Sequence, residues 1–445
     1  MKKNILLALA AVAALALGLG AQDLSFDDLP AAVEDIKAAG FPAAVPLPAR
    51  EAPAAGEREW LVLVFLNGHN DLWQEAIKDV NEMEMVGSTD KVAVTVELGI
   101  LQDRGNSARF YIQKDTTTDA GTEFDNIISP AVEVPGADMG SWKHFADFAK
   151  WSYRKYPARK VLAVLWSHGS GRIDIGGADN TGSELGIAYD HLTRNFIRNK
   201  QIAMALAEIA RSTGKKVSIY ASDACLMQMA SVAYEIKDSA DFIVGSEDAI
   251  PYDGFPYDAV LADLAADPGM SPEALSKTIV KNFHAYYAKT QEHTMLSAVR
   301  ASELPEFVRL LNDWVRAAAI PTHRKKILEA EEAALAFDEG HNGNDTFYNA
   351  RSKDLYDFVD LAGKKADKTS RIYAKGETLK DFIANKLITA NKTTQDGGDY
   401  DRAKGIAVYF PRLIYDCSYD ENLFSRDSLW DDFLKWKLDP SYKVK

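Results

Sequence analysis

Two short turns carry side chains able to do nucleophilic chemistry. Ser167-His168-Gly169-Ser170-Gly171 and Ala221-Ser222-Asp223-Ala224-Cys225 each end an apolar run, and His168 and Cys225 stand 57 residues apart. A thiol attacks only as the thiolate, so it needs a base or a cation beside it, and imidazole accepts a proton near neutrality. Gly169 has no side chain to keep backbone from a scissile carbonyl, so its N–H and that of Cys225 form a candidate donor pair for an oxyanion. Each residue also has an ordinary reading, His168 as a locally hydrogen-bonded histidine and Cys225 as small core filler. Two such turns on neighbouring strands favour chemistry over both.

The elements around the turns must bring them together. The runs at 160–166 (KVLAVLW) and 216–220 (KVSIY) read as strands buried on both faces, and a helix over 196–212 serves as their crossover. A helical crossover makes them parallel neighbours whose carboxyl ends open on one sheet edge, where open α/β sheets build sites. The run at 60–66 (WLVLVFL) is a further buried strand, followed by a helix over 71–86 that Gly87 ends. Strands are expected at 92–98, near Phe110 and Val132, and at 241–245 and 295–300, with a helix over 142–156. Beyond Ser302 the pattern turns helical, at 304–319, 325–336, 355–362, 378–387 and 429–436, and one strand returns at 405–410. The expectation is an α/β fold with a mostly parallel sheet flanked by helices. It comprises a catalytic domain over 59–300 and a mainly helical C-terminal region over 301–445.

Composition narrows the function. The 445 residues are 47% hydrophobic and 26% charged, enough for a full core and too apolar for wholesale disorder. Lys and Arg number 51 against 65 Asp and Glu, a net charge of −14, and no basic stripe interrupts the excess. Such a field repels phosphate backbones, which excludes general nucleic-acid binding, and attracts cationic substrates. Residues 1–20 combine two lysines, an apolar run and small residues, the form of a cleavable secretory leader, too short for a stable membrane span. Export to the periplasm or beyond is expected. Residues 21–58 are an Ala- and Pro-rich linker or pro-segment. Only Cys225 and Cys417 are available for disulfides, so there is no disulfide framework, and Cys417 reads as an incidental thiol.

Other enzyme classes lack their signatures. There is no Gly-x-Ser-x-Gly elbow, no His-Glu-x-x-His and no Gly-x-x-x-x-Gly-Lys-Ser/Thr loop, and the eight histidines are scattered. No cofactor is required by the sequence and no metal enters the expected site.

The segments WLVLVFLNGHNDLWQEAIKDVNEMEMVG (60–87), VLAVLWSHGSG (161–171), IYASDACLMQMASVAYEIKDSADFIVG (219–245) and GIAVYFP (405–411) resemble the clostripain family of secreted bacterial cysteine peptidases. The resemblance spans roughly 60 to 440, and its His-to-Cys spacing is close to the roughly 50 residues found in caspases. It implies a caspase-like fold, His168 as catalytic histidine, Cys225 as nucleophile and cleavage after Arg or Lys. Asp223 matches the acidic position of the pocket for the residue before the scissile bond, and a carboxylate there pairs bidentately with guanidinium. A helix N-cap is its alternative role. Asp253, in Pro251-Tyr252-Asp253-Gly254, is a second, weaker pocket candidate against a plain Asp-Gly turn.

Two departures accompany the resemblance. Relatives are processed after a basic residue soon after the histidine, but residues 173–193 contain no Lys or Arg, so a single-chain enzyme is expected. His69 stands where relatives carry an acidic residue and receives no catalytic role. Calcium is the ion the resemblance implies, although no Asp-x-Asp-x-Asp-Gly loop occurs. The expected partners are peptides bearing Arg or Lys, met by a monomer. The rival reading is a secreted, non-catalytic scaffold of the same fold that holds cationic peptides.

Overall fold

The computed structural model describes residues 57–445 apart from 104, 117–120, 122–123, 172–185, 338–351 and 395–398. The expected leader and most of the linker lie outside the described residues, as does most of the expected processing loop over 173–193.

The strands are β1 (Arg58–Gly68), β2 (Val92–Ile100), β3 (Ser107–Tyr111), β4 (Ala131–Val134), β5 (Ala158–Trp166), β6 (Ile187–Asp190), β7 (Asn195–Ile197), β8 (Val217–Asp223), β9 (Ala240–Gly245), β10 (Thr294–Arg300), β11 (Ala336–Phe337), β12 (Ser352–Asp354), β13 (Ile388–Thr394) and β14 (Ala407–Tyr409). A nine-stranded sheet runs in the order β13-β10-β9-β8-β5-β1-β2-β3-β4. Its centre, β9 to β2, is parallel, and an antiparallel pair flanks each side.

The parallel centre is buried on both faces, and β1 shows why its sequence is a continuous apolar run. Leu61, Leu63 and Phe65 enter one core while Trp60, Val62, Val64 and Leu66 enter the other. Each such side chain contributes about 1.5–3 kcal/mol on burial. One face carries α1 (Trp73–Glu84), which sets Ala76, Ile77, Val80 and Met83 into the core. The opposite face carries α2 (Trp142–Lys155) and α3 (Asn199–Thr213), the crossover from β5 to β8 that ends at Gly214 in the left-handed region, φ 70°. The short α4 (Ala230–Ile236) joins them there. Next in the chain, α5 (Tyr257–Ala266) and α6 (Pro272–Tyr287) cover the α1 face. Ser271 caps α6 by accepting from Ala274 N, with Pro272 opening the helix.

The C-terminal region is helical as expected but returns more strand than one. β13 pairs antiparallel with β10 in the main sheet, while β14 lies in a separate sheet ordered β11-β12-β14. The segment around β14 braces the loop after Cys225. Ala407 N donates to Gln228 O at 3.0 Å, and Gly405 N donates to Glu247 Oε2 at 2.9 Å.

Candidate active site

β5 and β8 pair in parallel with Trp166 opposite Asp223, so the turns that follow them leave the same edge of the sheet side by side. Ser167 N donates to Asp223 O at 3.3 Å and extends the pairing one residue past the strands. Beyond it, Gly169 packs so closely on the second turn that a Cβ there would stand 2.5 Å from Cys225 O and 3.0 Å from Ala224 Cβ. Only glycine permits this approach. The bonds from Ser170 N to Gly186 O and from Ala188 N to His168 O flank Gly169 without using its own N–H. We expect Gly169→Ala to push the His168 turn off the Cys225 turn and lower kcat by at least about 10²-fold, because a misplacement near 1 Å has that effect. Steady-state kinetics beside a thermal melt separates this from unfolding.

His168 is partly exposed, and its Nε2 donates to Asp71 Oδ1 at 2.8 Å. A carboxylate can only accept, so that bond puts hydrogen on Nε2. His168 holds the Asp71 carboxyl below the ordinary carboxylate range, against the opposing effect of burial, the largest contribution. Asp71 was not among the sequence candidates. Its signal was available, since Asn67-Gly68-His69-Asn70-Asp71 ends β1, the strand beside β5.

The β1 turn is fixed by buried polar bonds. Asn70 Nδ2 donates to Ser167 Oγ at 2.9 Å, Ser167 Oγ donates to Asn67 O at 3.0 Å, and fully buried His69 pairs through Nδ1 with Asp190 Oδ2 at 2.9 Å. His69 therefore holds the scaffold of the turn.

Cys225 follows β8 and precedes Leu226, which has a left-handed φ of 65°, a strained conformation for a leucine. Leu226 N donates to Asp248 O at 3.1 Å, and Gln228 N to Ser246 O at 2.8 Å. These bonds lay the Cys225 loop along the chain that leaves β9. The thiol meets the same strand end: Ile250 N donates to Sγ at 3.3 Å, and Sγ–H points to Ile250 O at 3.8 Å. Burial above all, aided by the Asp248 and Asp223 charges, pushes the thiol above its ordinary pKa, while the Ile250 N–H opposes them. A neutral thiol at pH 7 requires a base at the moment of attack.

Asp223, two residues before Cys225, is buried, with Oδ2 accepting from Phe255 N at 3.0 Å and from Tyr257 Oη at 2.9 Å. The N-cap alternative is overturned, because no helix starts at Leu226; the next one begins at Ala230 with Met229 as its cap residue. Gly254, φ 58°, brings the 250–257 segment onto this carboxylate, where a Cβ would lie 3.0 Å from Oδ2. Asp253, on the same segment, is half exposed and occupied on both oxygens, by Lys78 Nζ at 2.5 Å and by Tyr286 Oη at 2.9 Å. The α1 residues Lys78, Asp79 and Glu82, none of them sequence candidates, therefore belong to the surroundings of the site. Asp79 and Glu82 escaped because apolar periodicity does not register carboxylates on a buried face.

Burial raises Asp223 to about 7 and Glu82 to about 7. A carboxyl raised above its unfolded value of about 4 supports the fold only while protonated, so its contribution is complete in acid and is lost as pH rises through 7. Asn mimics the protonated acid. We expect the melting temperatures of wild type and Asp223→Asn to lie closest together below pH 4 and to diverge progressively up to pH 8, with the variant higher. Melts across that window check it; a gap that closes as pH rises contradicts it.

Among the described residues no group of three or more His, Cys, Asp or Glu side chains is arranged to hold a metal ion. Among the described residues no helix is long and apolar enough to cross a membrane. Both cysteines are free thiols, Cys417 exposed.

Comparisons with known proteins give the family and the fold. The model of the clostripain family matches residues 64–436. Clostripain from Hathewaya histolytica is 24% identical over 235 residues, which cover 48% of this chain and 43% of that protein, so the chain spans less than half the length of the curated relative it matches. In fold it is similar to a secreted C11 cysteine protease from Bacteroides thetaiotaomicron, solved in complex with an irreversible peptide inhibitor. The TM-score is 0.63 at 19% identity, over 84% of this chain and 99% of that one. An inactive zymogen C11 protease from Parabacteroides distasonis gives a TM-score of 0.61 at 19% identity over the same shares, 84% and 99%. The α/β architecture with a large central sheet flanked by helices is therefore that of the C11 protease structures.

Proposed function

As the chain belongs to the clostripain family of cysteine peptidases, we propose that it is an exported endopeptidase that cleaves peptides after Arg or Lys through Cys225 and His168. The observation that carries this reading is the contact of Gly169 with the carbonyl of Cys225, which joins the histidine and cysteine turns at the ends of adjacent parallel strands.

The local bonds support the following chemistry. Substrate binding draws Sγ from Ile250 O. His168 Nδ1 takes the thiol proton as sulfur attacks the carbonyl, and the N–H groups of Gly169 and Cys225 receive the developing oxyanion. The imidazolium, stabilised by Asp71 at Nε2, gives its proton to the leaving amine, and the acyl-enzyme remains. Water, deprotonated by the same imidazole, releases the acid and restores the thiol. Asp71 acts through His168 and is a positioning residue.

Basic specificity is supported by two acidic residues close to the nucleophile's turn and to the segment that contacts the thiol. Asp223 lies two residues before Cys225, and Asp253 is on the segment whose Ile250 holds the thiol. The leader-like residues 1–20 support export, and the enzyme is read as a monomer acting on peptide substrates. The test is hydrolysis of matched peptides with Arg, Lys or Gln before the scissile bond, under reducing conditions with and without calcium. Turnover confined to Arg and Lys is expected; equal turnover of Gln rejects the specificity, and no turnover of any peptide favours the binding scaffold.

A further inference from the structure

We propose that Lys78 is a specificity-determining residue, an internal cation that occupies Asp253 and competes there with the basic side chain of the substrate; this rests on the basic-residue reading of the site. Lys78 projects from α1, and its ammonium meets Asp253 Oδ1 at 2.5 Å, while Tyr286 Oη holds the other oxygen at 2.9 Å. Asp253 is thereby filled, in a segment bonded to the nucleophile through Ile250 and to Asp223 through Phe255. An incoming guanidinium must share those oxygens with the Lys78 ammonium and Tyr286 Oη, so it meets Asp253 in competition with a cation already there.

The surroundings give the displaced ammonium a place to go. Glu82 Oε1, one helical turn along, stands 3.9 Å from Nζ. Lys78 is therefore flanked by two carboxylates, one half exposed on the site segment and one largely buried on its own helix. The half-exposed Asp253 is the one a solvent-borne cation reaches. Substrate binding to Asp253 shifts Lys78 toward Glu82, which burial makes the poorer partner, so the exchange weakens substrate binding. A neutral side chain before the scissile bond makes no such exchange and is indifferent to Lys78.

The experiment compares wild type, Lys78→Met, Lys78→Gln and Lys78→Arg on peptides differing only in Arg or Gln before the scissile bond, with melts of each protein. Removing the cation in Lys78→Met or Lys78→Gln should lower KM for the arginyl peptide about tenfold, leaving kcat and the glutaminyl KM within twofold, as expected for freeing a charge-assisted bond. Lys78→Arg keeps the cation and should stay within twofold of wild type throughout. A folded Lys78→Met or Lys78→Gln whose arginyl KM is unchanged or raised, or whose two KM values move together, overturns the proposal. If Lys78→Met does not fold, Lys78→Gln decides. Wild type that fails to prefer Arg over Gln sinks the basic-residue reading on its own, and a preference appearing only in Lys78→Met would still uphold the role of Lys78.

Discussion

Cys225→Ala is expected to abolish turnover of arginyl and lysyl peptides, with kcat reduced by about 10⁴-fold or more, while the protein melts within a few degrees of wild type. Removing the nucleophile of a covalent mechanism has an effect of this order because binding and oxyanion donors alone give little catalysis. Folding should survive, since the thiol makes only weak sulfur bonds to the Ile250 backbone. Exposed Cys417 provides the control, and Cys417→Ser should retain full activity. Kinetics and melts on the two variants check both statements; a Cys225→Ala protein with wild-type kcat refutes the mechanism.

Asp223→Asn is expected to cut the preference for Arg over Gln by about ten- to a hundredfold, the value of one charge-assisted hydrogen bond in a desolvated pocket. Asn keeps an oxygen for Phe255 N and Tyr257 Oη, so the loss should fall on specificity. Asp223→Ala would leave those two donors unpaired and cost about 1–3 kcal/mol of stability for each in addition. The ratio of kcat/KM for arginyl and glutaminyl peptides measures the effect, and an unchanged ratio in Asp223→Asn moves the basic pocket away from Asp223.

Apolar continuity made the parallel centre legible in the sequence. A strand buried on both faces must be apolar at every position, as in WLVLVFL and KVLAVLW, and the chemically capable residues then fall at strand ends where the backbone turns out of the sheet. Ile388–Thr394 was not legible. It is a polar edge strand, ITANKTT, mostly half buried, and it pairs only with β10. The helix expected at 378–387 instead spans Arg371–Phe382 and loosens into a π turn over Ile383–Leu387.

The site divided in the same way. His168, Gly169 and Cys225 stood out as candidates by residue type and position. Asp71 and Lys78 meet His168 and Asp253 across 97 and 175 residues of chain, which no local pattern encodes. Asp223 shows the limit most clearly. Its place before the nucleophile was visible, yet its partners, Phe255 N and Tyr257 Oη, come from a segment whose sequence offered Asp253 or a plain turn and no sign of a partner for Asp223.

The central claim is that Cys225 is the nucleophile of a site selective for basic residues. It is tested most directly by treating the protein with a peptide acyloxymethyl ketone ending in Arg, beside its norleucine counterpart, and locating the adduct by peptide mass spectrometry. Stoichiometric labelling of Cys225 by the arginyl reagent is predicted, with little by the norleucine one and loss of labelling in His168→Ala. An unlabelled Cys225, an adduct on Cys417 instead, or equal labelling by both reagents would contradict it.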